Sequence, residues 1–99
     1  MSWAARAIEE LRSGRPARVR PRGRSMKGKV EDGALVTLEP CGPAQLAAGD
    51  IVLVRAHGRV YLHLIKAVSG GRFLIGNNRG GTNGWVGGQA IYGKAVRVE

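Results

Sequence analysis

The chain has 99 residues, 43% of them hydrophobic, which is the size and composition of one small globular domain. Its single cysteine excludes an intramolecular disulfide and a cysteine metal cluster, and no stretch reaches the roughly 18 apolar residues of a membrane-spanning helix. The formal net charge is +9, and nine of the 16 Lys and Arg residues precede residue 31. This asymmetry indicates either an anionic partner for the N-terminal third or a charged face that only aids solubility.

The N-terminal segment is predicted to be a helix followed by a basic arm. Residues 2–14 place Trp3, Ala7, Ile8 and Leu11 on one helical face, with a serine before them and a glycine after them. A helix this short is marginal alone and must dock on another surface. Residues 15–24 contain two prolines and five arginines and are predicted to be an extended linker or an edge strand. We therefore divide the chain into a helix and basic arm, 1–19, and a β domain, 20–99.

From residue 30 onward the pattern is that of strands, and no helical period recurs. The clearest signal is residues 50–68, where two β-branched runs flank Ala56-His57-Gly58-Arg59 and predict a β-hairpin. The fold class predicted is mostly β: a small antiparallel coiled sheet or partly closed barrel with one short N-terminal helix. The other predicted segments are strands in 33–40, 70–76 and 90–98, a loop with a helical turn in 41–49, and a long glycine-asparagine loop in 77–89.

Several short motifs follow one another in an informative order. They are Gly23-Arg24-Ser25-Met26, then Glu31-Asp32-Gly33, Gly49-Asp50-Ile51-Val52, a histidine in Tyr61-Leu62-His63-Leu64-Ile65, Gly76-Asn77-Asn78, and a closing Ile91-Tyr92-Gly93-Lys94. In this order and spacing, the chain resembles the catalytic core of the signal peptidase and LexA-like serine peptidase superfamily, over about residues 20–98. The resemblance implies the coiled β-fold of that superfamily and the activity of a serine endopeptidase.

The resemblance implies a catalytic pair. The family's nucleophile is the serine of Ser-Met, here Ser25, and its general base lies on the second strand of the hairpin. That base is a lysine in bacterial signal peptidases and LexA-like proteins, and a histidine in the endoplasmic-reticulum and archaeal type. The matching position is His63, 38 residues after Ser25. Lys66, three residues further on, is the alternative base. Its side chain faces the opposite side of the strand from His63, so it could face Ser25 only if the strand bulges.

The resemblance also implies supporting groups around this pair. The oxyanion would be bound by the Ser25 amide and a neighbouring backbone amide of the segment containing Gly23 and Arg24. The histidine-type enzymes use a downstream Asp to orient the imidazole, and the acidic positions here hold Asn77 and Asn83. An asparagine can hold the ring by a hydrogen bond but cannot stabilise imidazolium as a carboxylate does. A shallow apolar pocket for small substrate side chains would be lined by Met26, Val30 and Ile65.

Two functions follow from this interpretation. The first is a small soluble, cytoplasmic endopeptidase that cleaves a peptide bond in a partner or leader peptide, which binds as an added strand. The alternative is a catalytically silent relative whose Arg-rich arm binds nucleic acid or an acidic protein. We expect no cofactor and no metal, since His57 reads as a solvated turn residue and Cys41 as incidental. Trp85 and Tyr92 are interpreted as core or sheet-face aromatics, and the oligomeric state is not predicted.

Overall fold

In the computed structural model, which describes residues 3–21, 26, 29–78 and 80–99, seven strands form one antiparallel sheet beside a short helix. The sheet curls into a half-barrel, which confirms the predicted fold class. The strand order is β1-β2-β7-β3-β4-β5-β6, so β1 and β6 are the edges. The elements are α1 (Ala5–Arg12), β1 (Ala17–Val19), β2 (Val36–Glu39), β3 (Ile51–Ala56), β4 (Arg59–Ser69), β5 (Arg72–Gly76), β6 (Thr82–Gly87) and β7 (Ile91–Val98), with 3-10 turns at Pro43–Gln45 and Gly88–Ala90.

The predicted hairpin forms the centre of the sheet. β3 and β4 pair without interruption from Ile51 opposite Leu64 to Ala56 opposite Arg59. The turn between them holds His57 and Gly58 at φ values of 51° and 76°, the left-handed conformation that a type I′ hairpin turn requires at both central positions. β7 then pairs with β3, and β5 pairs with β4.

Both faces of this hairpin are buried because neighbouring side chains alternate between two apolar clusters. The helix cluster contains Leu53, Leu62 and Leu64 together with the buried side chains of α1, β1 and β2. The strand cluster contains Val52, Val54 and Ile65 with side chains from β5 and β7. Its buried members are Leu46, Val52, Val54, Ile65, Phe73, Ile75 and Ile91.

The N-terminal helix packs on the protein's own sheet. Ala7 and Leu11 of α1 are buried in the helix cluster. The close approach requires Gly93 of β7, where an added Cβ would lie 3.0 Å from Leu11 Cδ2 and 2.6 Å from the Glu39 carbonyl oxygen. β1 pairs with β2 at one edge of the sheet, which confirms the edge-strand interpretation for this part of the basic arm. No helix in the described part of the chain is long and apolar enough to cross a membrane.

One prediction is wrong: part of the 77–89 segment is strand β6 and not loop. β6 pairs with β5 from Arg72 opposite Gly87 to Gly76 opposite Thr82. The turn before it is closed by Asn77, whose backbone N–H donates to the Gly81 carbonyl and whose Oδ1 accepts from the Gly81 N–H, both at 2.9 Å. The many glycines gave this segment no apolar alternation. The segment is a strand because its backbone pairs with β5, even though its side chains show no strand pattern.

Candidate active site

His63 lies in the middle of β4, opposite Val52 of β3. It is 6% exposed and is the one buried polar side chain among the residues that the structure describes. Its ring stacks on Tyr61, two residues away on the same face of the strand, with centroids 4.7 Å apart and planes inclined by 25°. The structure thus holds a titratable ring in a confined, largely apolar environment.

Asn83 forms a hydrogen bond with Nδ1 of this ring. The distance from His63 Nδ1 to Asn83 Oδ1 is 2.7 Å. Because an amide oxygen only accepts hydrogen bonds, Nδ1 is the donor and carries the proton. In the neutral ring the lone pair therefore lies on Nε2, the nitrogen that can accept a proton from a nucleophile.

Asn83 reaches the ring because β6 is irregular at this point. The pairing of β5 with β6 shifts between Ile75 and Gly76, whose partners are Gly84 and Thr82, so Asn83 is the additional residue between them. Such an irregularity re-aims a side chain. Gly84 follows at φ 97°, a conformation that residues with a Cβ rarely adopt.

The surroundings keep His63 neutral. Burial lowers its pKa from the ordinary 6.5, the hydrogen bond with Asn83 opposes this, and the positive charge of Lys66 lowers the pKa further. The net direction is downward. At neutral pH His63 is therefore a proton acceptor and not a cation.

Lys66, the alternative base, lies at a second irregularity. The register between β4 and β5 shifts between Ile65 and Ala67, which leaves Lys66 as the additional residue on β4. The side chain is half-buried, and its stem passes beside Gly76, where an added Cβ would lie 3.0 Å from Lys66 Cε. The bulge that could redirect Lys66 is thus present, and the residue remains close enough to His63 to influence its pKa.

The remaining predicted site residues are distributed as follows. Ser25, Gly23 and Arg24 lie outside the described residues. Met26 and Val30 are buried in the helix cluster, whereas Ile65 is buried in the strand cluster. The structure therefore does not bring together the three side chains expected to line one pocket, because Ile65 follows Leu64 on β4 and faces the opposite side of the sheet.

His57 is a site residue that sequence reasoning missed. It was expected to be a solvated turn residue, and it is exposed, but its Nε2 lies 2.6 Å from the backbone oxygen of Asn83. No local pattern could have revealed this contact, because it joins residues 26 positions apart across the curl of the sheet. The site accordingly contains two histidines bound to one asparagine.

Cys41 and the acidic residues do not add a metal or nucleophilic site. Within the described ranges, no group of three or more His, Cys, Asp or Glu side chains could hold a metal ion. Burial raises the pKa of the Cys41 thiol, the positive charge of Lys94 opposes this with a smaller effect, and the negative charge of Asp50 raises the pKa slightly further, so the thiol is protonated at neutral pH.

Comparisons with known proteins return no match. No protein-family model matches the chain, and no curated protein or solved structure shows significant similarity to it. The functional argument therefore depends on the site itself and on the motifs of the sequence.

The lowered pKa of His63 predicts a pH dependence of stability. Between the folded-state pKa and 6.5, the unfolded chain binds a proton at His63 that the folded chain does not, so the free energy of unfolding rises with pH across this window. The stabilisation that comes from keeping the buried ring neutral is fully present above the ordinary pKa of 6.5 and is lost as the pH falls towards the folded-state pKa. Urea unfolding at about pH 5 and about pH 7.5 should show a larger gain with pH for the wild type than for His63→Gln. Equal gains would contradict a depressed pKa.

Proposed function

We propose that this protein is a small serine endopeptidase of the signal peptidase and LexA-like type, with Ser25 as nucleophile and His63 as general base. The observation that carries the proposal is the buried His63 ring, held through Nδ1 by Asn83 so that its lone pair lies on Nε2. A ring in this state is what a serine hydroxyl needs beside it, since the hydroxyl is a weak nucleophile without an adjacent base.

Met26, the residue after Ser25 in the chain, belongs to the helix cluster, on the face of β4 opposite His63. It is buried with Leu62 and Leu64, the neighbours of His63 on β4, whose side chains alternate with the His63 ring across the sheet. The Met26 carbonyl also accepts the backbone N–H groups of Lys29 and Val30, which fixes the chain direction after it. The proposed pairing of Ser25 with His63 therefore rests on the order of motifs and on the state of the His63 ring, and not on the position of Met26.

The proposed reaction is acyl transfer followed by hydrolysis. His63 Nε2 takes the Ser25 hydroxyl proton as the oxygen attacks a peptide carbonyl, and the imidazolium then gives this proton to the departing amine. Water then attacks the acyl-enzyme, with His63 again taking a proton, and the second product leaves as Ser25 regains its proton. Backbone amides at Ser25 and Arg24, with Gly23 leaving room for close approach, would bind the oxyanion.

The substrate would be an extended segment of a partner or leader peptide that binds as an additional strand. Of the three residues predicted to line the pocket, Ile65 shares the His63 face of β4, whereas Met26 and Val30 lie in the helix cluster on the other face. Met26 and Val30 are almost fully buried, at 5% and 3% exposed, which leaves little of either side chain for a substrate to contact.

A covalent serine probe tests the catalytic pair. A fluorophosphonate should label the wild type at Ser25, fail to label Ser25→Ala, and label His63→Ala at least tenfold more slowly, as expected for loss of a general base. Lys66→Ala should label at close to the wild-type rate. Labelling that survives in His63→Ala and disappears in Lys66→Ala would instead identify Lys66 as the base. No labelling of a folded wild type would contradict the peptidase proposal.

Asn83→Asp tests the role of the orienting group. A carboxylate beside Nδ1 would raise the pKa of His63 and stabilise the imidazolium that forms during attack. Turnover should increase, by up to the factor of about 10⁴ that the reverse change costs a Ser-His-Asp peptidase, and the acid limb of the pH profile should move to higher pH. Asn77→Asp is the matched control, since it adds the same charge at the β5–β6 turn. An equal response to both variants would contradict a specific role for Asn83.

A second candidate function is binding of an anionic partner, favoured by a groove between α1 and β1. The groove has a volume of about 360 Å³, and Trp3 at its rim is 48% exposed. Glu10, the acidic side chain in the lining, is already paired with Arg15 at 2.8 Å, which leaves the groove basic. An exposed indole in a groove that is also lined by Arg6 and Arg18 suits a single-stranded nucleic acid. The lining residues are Trp3, Arg6, Ala7, Glu10, Pro16, Ala17 and Arg18.

Salt-dependent binding tests this second candidate. A fluorescent oligothymidylate should bind the wild type with an affinity that falls steeply as salt rises, and Arg6→Gln with Arg18→Gln should weaken it at every salt concentration. Arg59→Gln with Arg72→Gln, at exposed positions on β4 and β5, is the charge-matched control. A polyglutamate peptide that binds where the oligonucleotide does not would identify an acidic protein as the partner. Unchanged affinity in the double variant would contradict a role for the groove.

A further inference from the structure

The residue that orients His63 is itself held by the hairpin turn. His57 Nε2 lies 2.6 Å from the backbone oxygen of Asn83, and His63 Nδ1 lies 2.7 Å from its side-chain oxygen. Both oxygens only accept hydrogen bonds, so each histidine is a donor: His57 through Nε2 and His63 through Nδ1. Asn83 is thus fixed at its main chain by one end of the hairpin and, through its side chain, holds a ring in the middle of the hairpin.

The hydrogen bond from His57 Nε2 to the Asn83 carbonyl, here called the tie, needs unusual backbone conformations at both of its ends. His57 has φ 51°, uncommon for a residue with a Cβ, in a turn where asparagine before glycine is the preferred pair. On β6, Gly84 has φ 97°, which a residue with a Cβ rarely adopts, and an added Cβ there would lie 3.4 Å from His57 Nε2, an ordinary van der Waals contact. Glycine at position 84 is therefore needed for the backbone conformation beside the Asn83 carbonyl and not to make room for the ring.

β6 has little else to hold Asn83 in place. Within the described part of the chain, β6 pairs with β5 alone and is an edge of the sheet. Asn83 lies at the point where even this pairing shifts. A hydrogen bond from the β3–β4 turn therefore restrains the strand where backbone pairing is weakest.

We propose that His57 is a positioning residue: its hydrogen bond to the Asn83 carbonyl holds the Asn83 amide where it keeps His63 in the Nδ1–H tautomer. Without the tie, β6 would relax at Asn83, and the neutral His63 ring would also populate the Nε2–H tautomer, which has no lone pair on Nε2. The significance for catalysis rests on the proposed peptidase function, whereas the tautomer itself does not.

The substitution that isolates this role is His57→Asn. Asparagine followed by Gly58 is well suited to the left-handed turn, so the hairpin should keep or gain stability. Its amide is too short to reach the Asn83 carbonyl, so the tie is lost. His57→Gln is the matching rescue variant, because the nitrogen of its longer side chain can occupy the position of Nε2 and donate to the same oxygen.

The readout is the His63 tautomer, measured by nitrogen-15 NMR of the imidazole at a pH where the ring is neutral. The wild type and His57→Gln should show the Nδ1–H form of His63, and His57→Asn a mixture of both tautomers. Serine labelling or peptide cleavage should fall roughly 10–100-fold in His57→Asn, by analogy with the loss seen for residues that orient metal-ligating histidines, and recover in His57→Gln. Urea unfolding confirms that each variant is folded.

The possible results distinguish a failure of the positioning role of His57 from a failure of the proposed peptidase function. A wild-type tautomer and a wild-type rate in folded His57→Asn would overturn the positioning role. A shifted tautomer in His57→Asn, restored by glutamine, would support the role even if no variant has peptidase activity, in which case the proposed function fails and the tie stands. Should His57→Asn not fold, a wild-type tautomer in folded His57→Ala would overturn the role, and a mixed tautomer would support it.

Discussion

The structure depends on one constraint, the pairing of β3 with β4 in a register that buries both faces of the hairpin. Leu53 and Leu64 enter the helix cluster while Val52 and Ile65 enter the strand cluster, and burial of such a side chain contributes about 1.5–3 kcal/mol. A slip by one residue would exchange the two sets and turn His63 to the other face. The energy that fixes the register therefore also fixes the site.

Within that frame, His63 is a polar group in apolar surroundings, which is costly unless it is hydrogen-bonded. Asn83 meets this need with a neutral acceptor. A carboxylate in its place would stabilise the charged ring, whereas the amide leaves burial as the leading effect and the pKa of His63 below its usual value. The arrangement orients a neutral imidazole and contributes little to stabilising a charged one.

The two candidate functions use different parts of the molecule. The basic groove lies between α1 and β1 at one edge of the sheet, and Asn83 lies in β6 at the other edge. Arg6 and Arg18 would therefore act on a partner by charge without altering the His63 environment directly.

By itself, the sequence determined the hairpin, its turn and the central place of His63, because alternating side chains and a His-Gly turn are local signals. The family resemblance also named Asn83, together with Asn77, at the positions where the histidine-type enzymes carry acidic residues. The tertiary structure alone decided that the glycine-rich 82–87 segment is a strand, that Ile65 faces away from Met26, and that His57 holds Asn83. Each of these depends on how the sheet curls and on contacts between distant residues, about which neighbouring side chains carry no information.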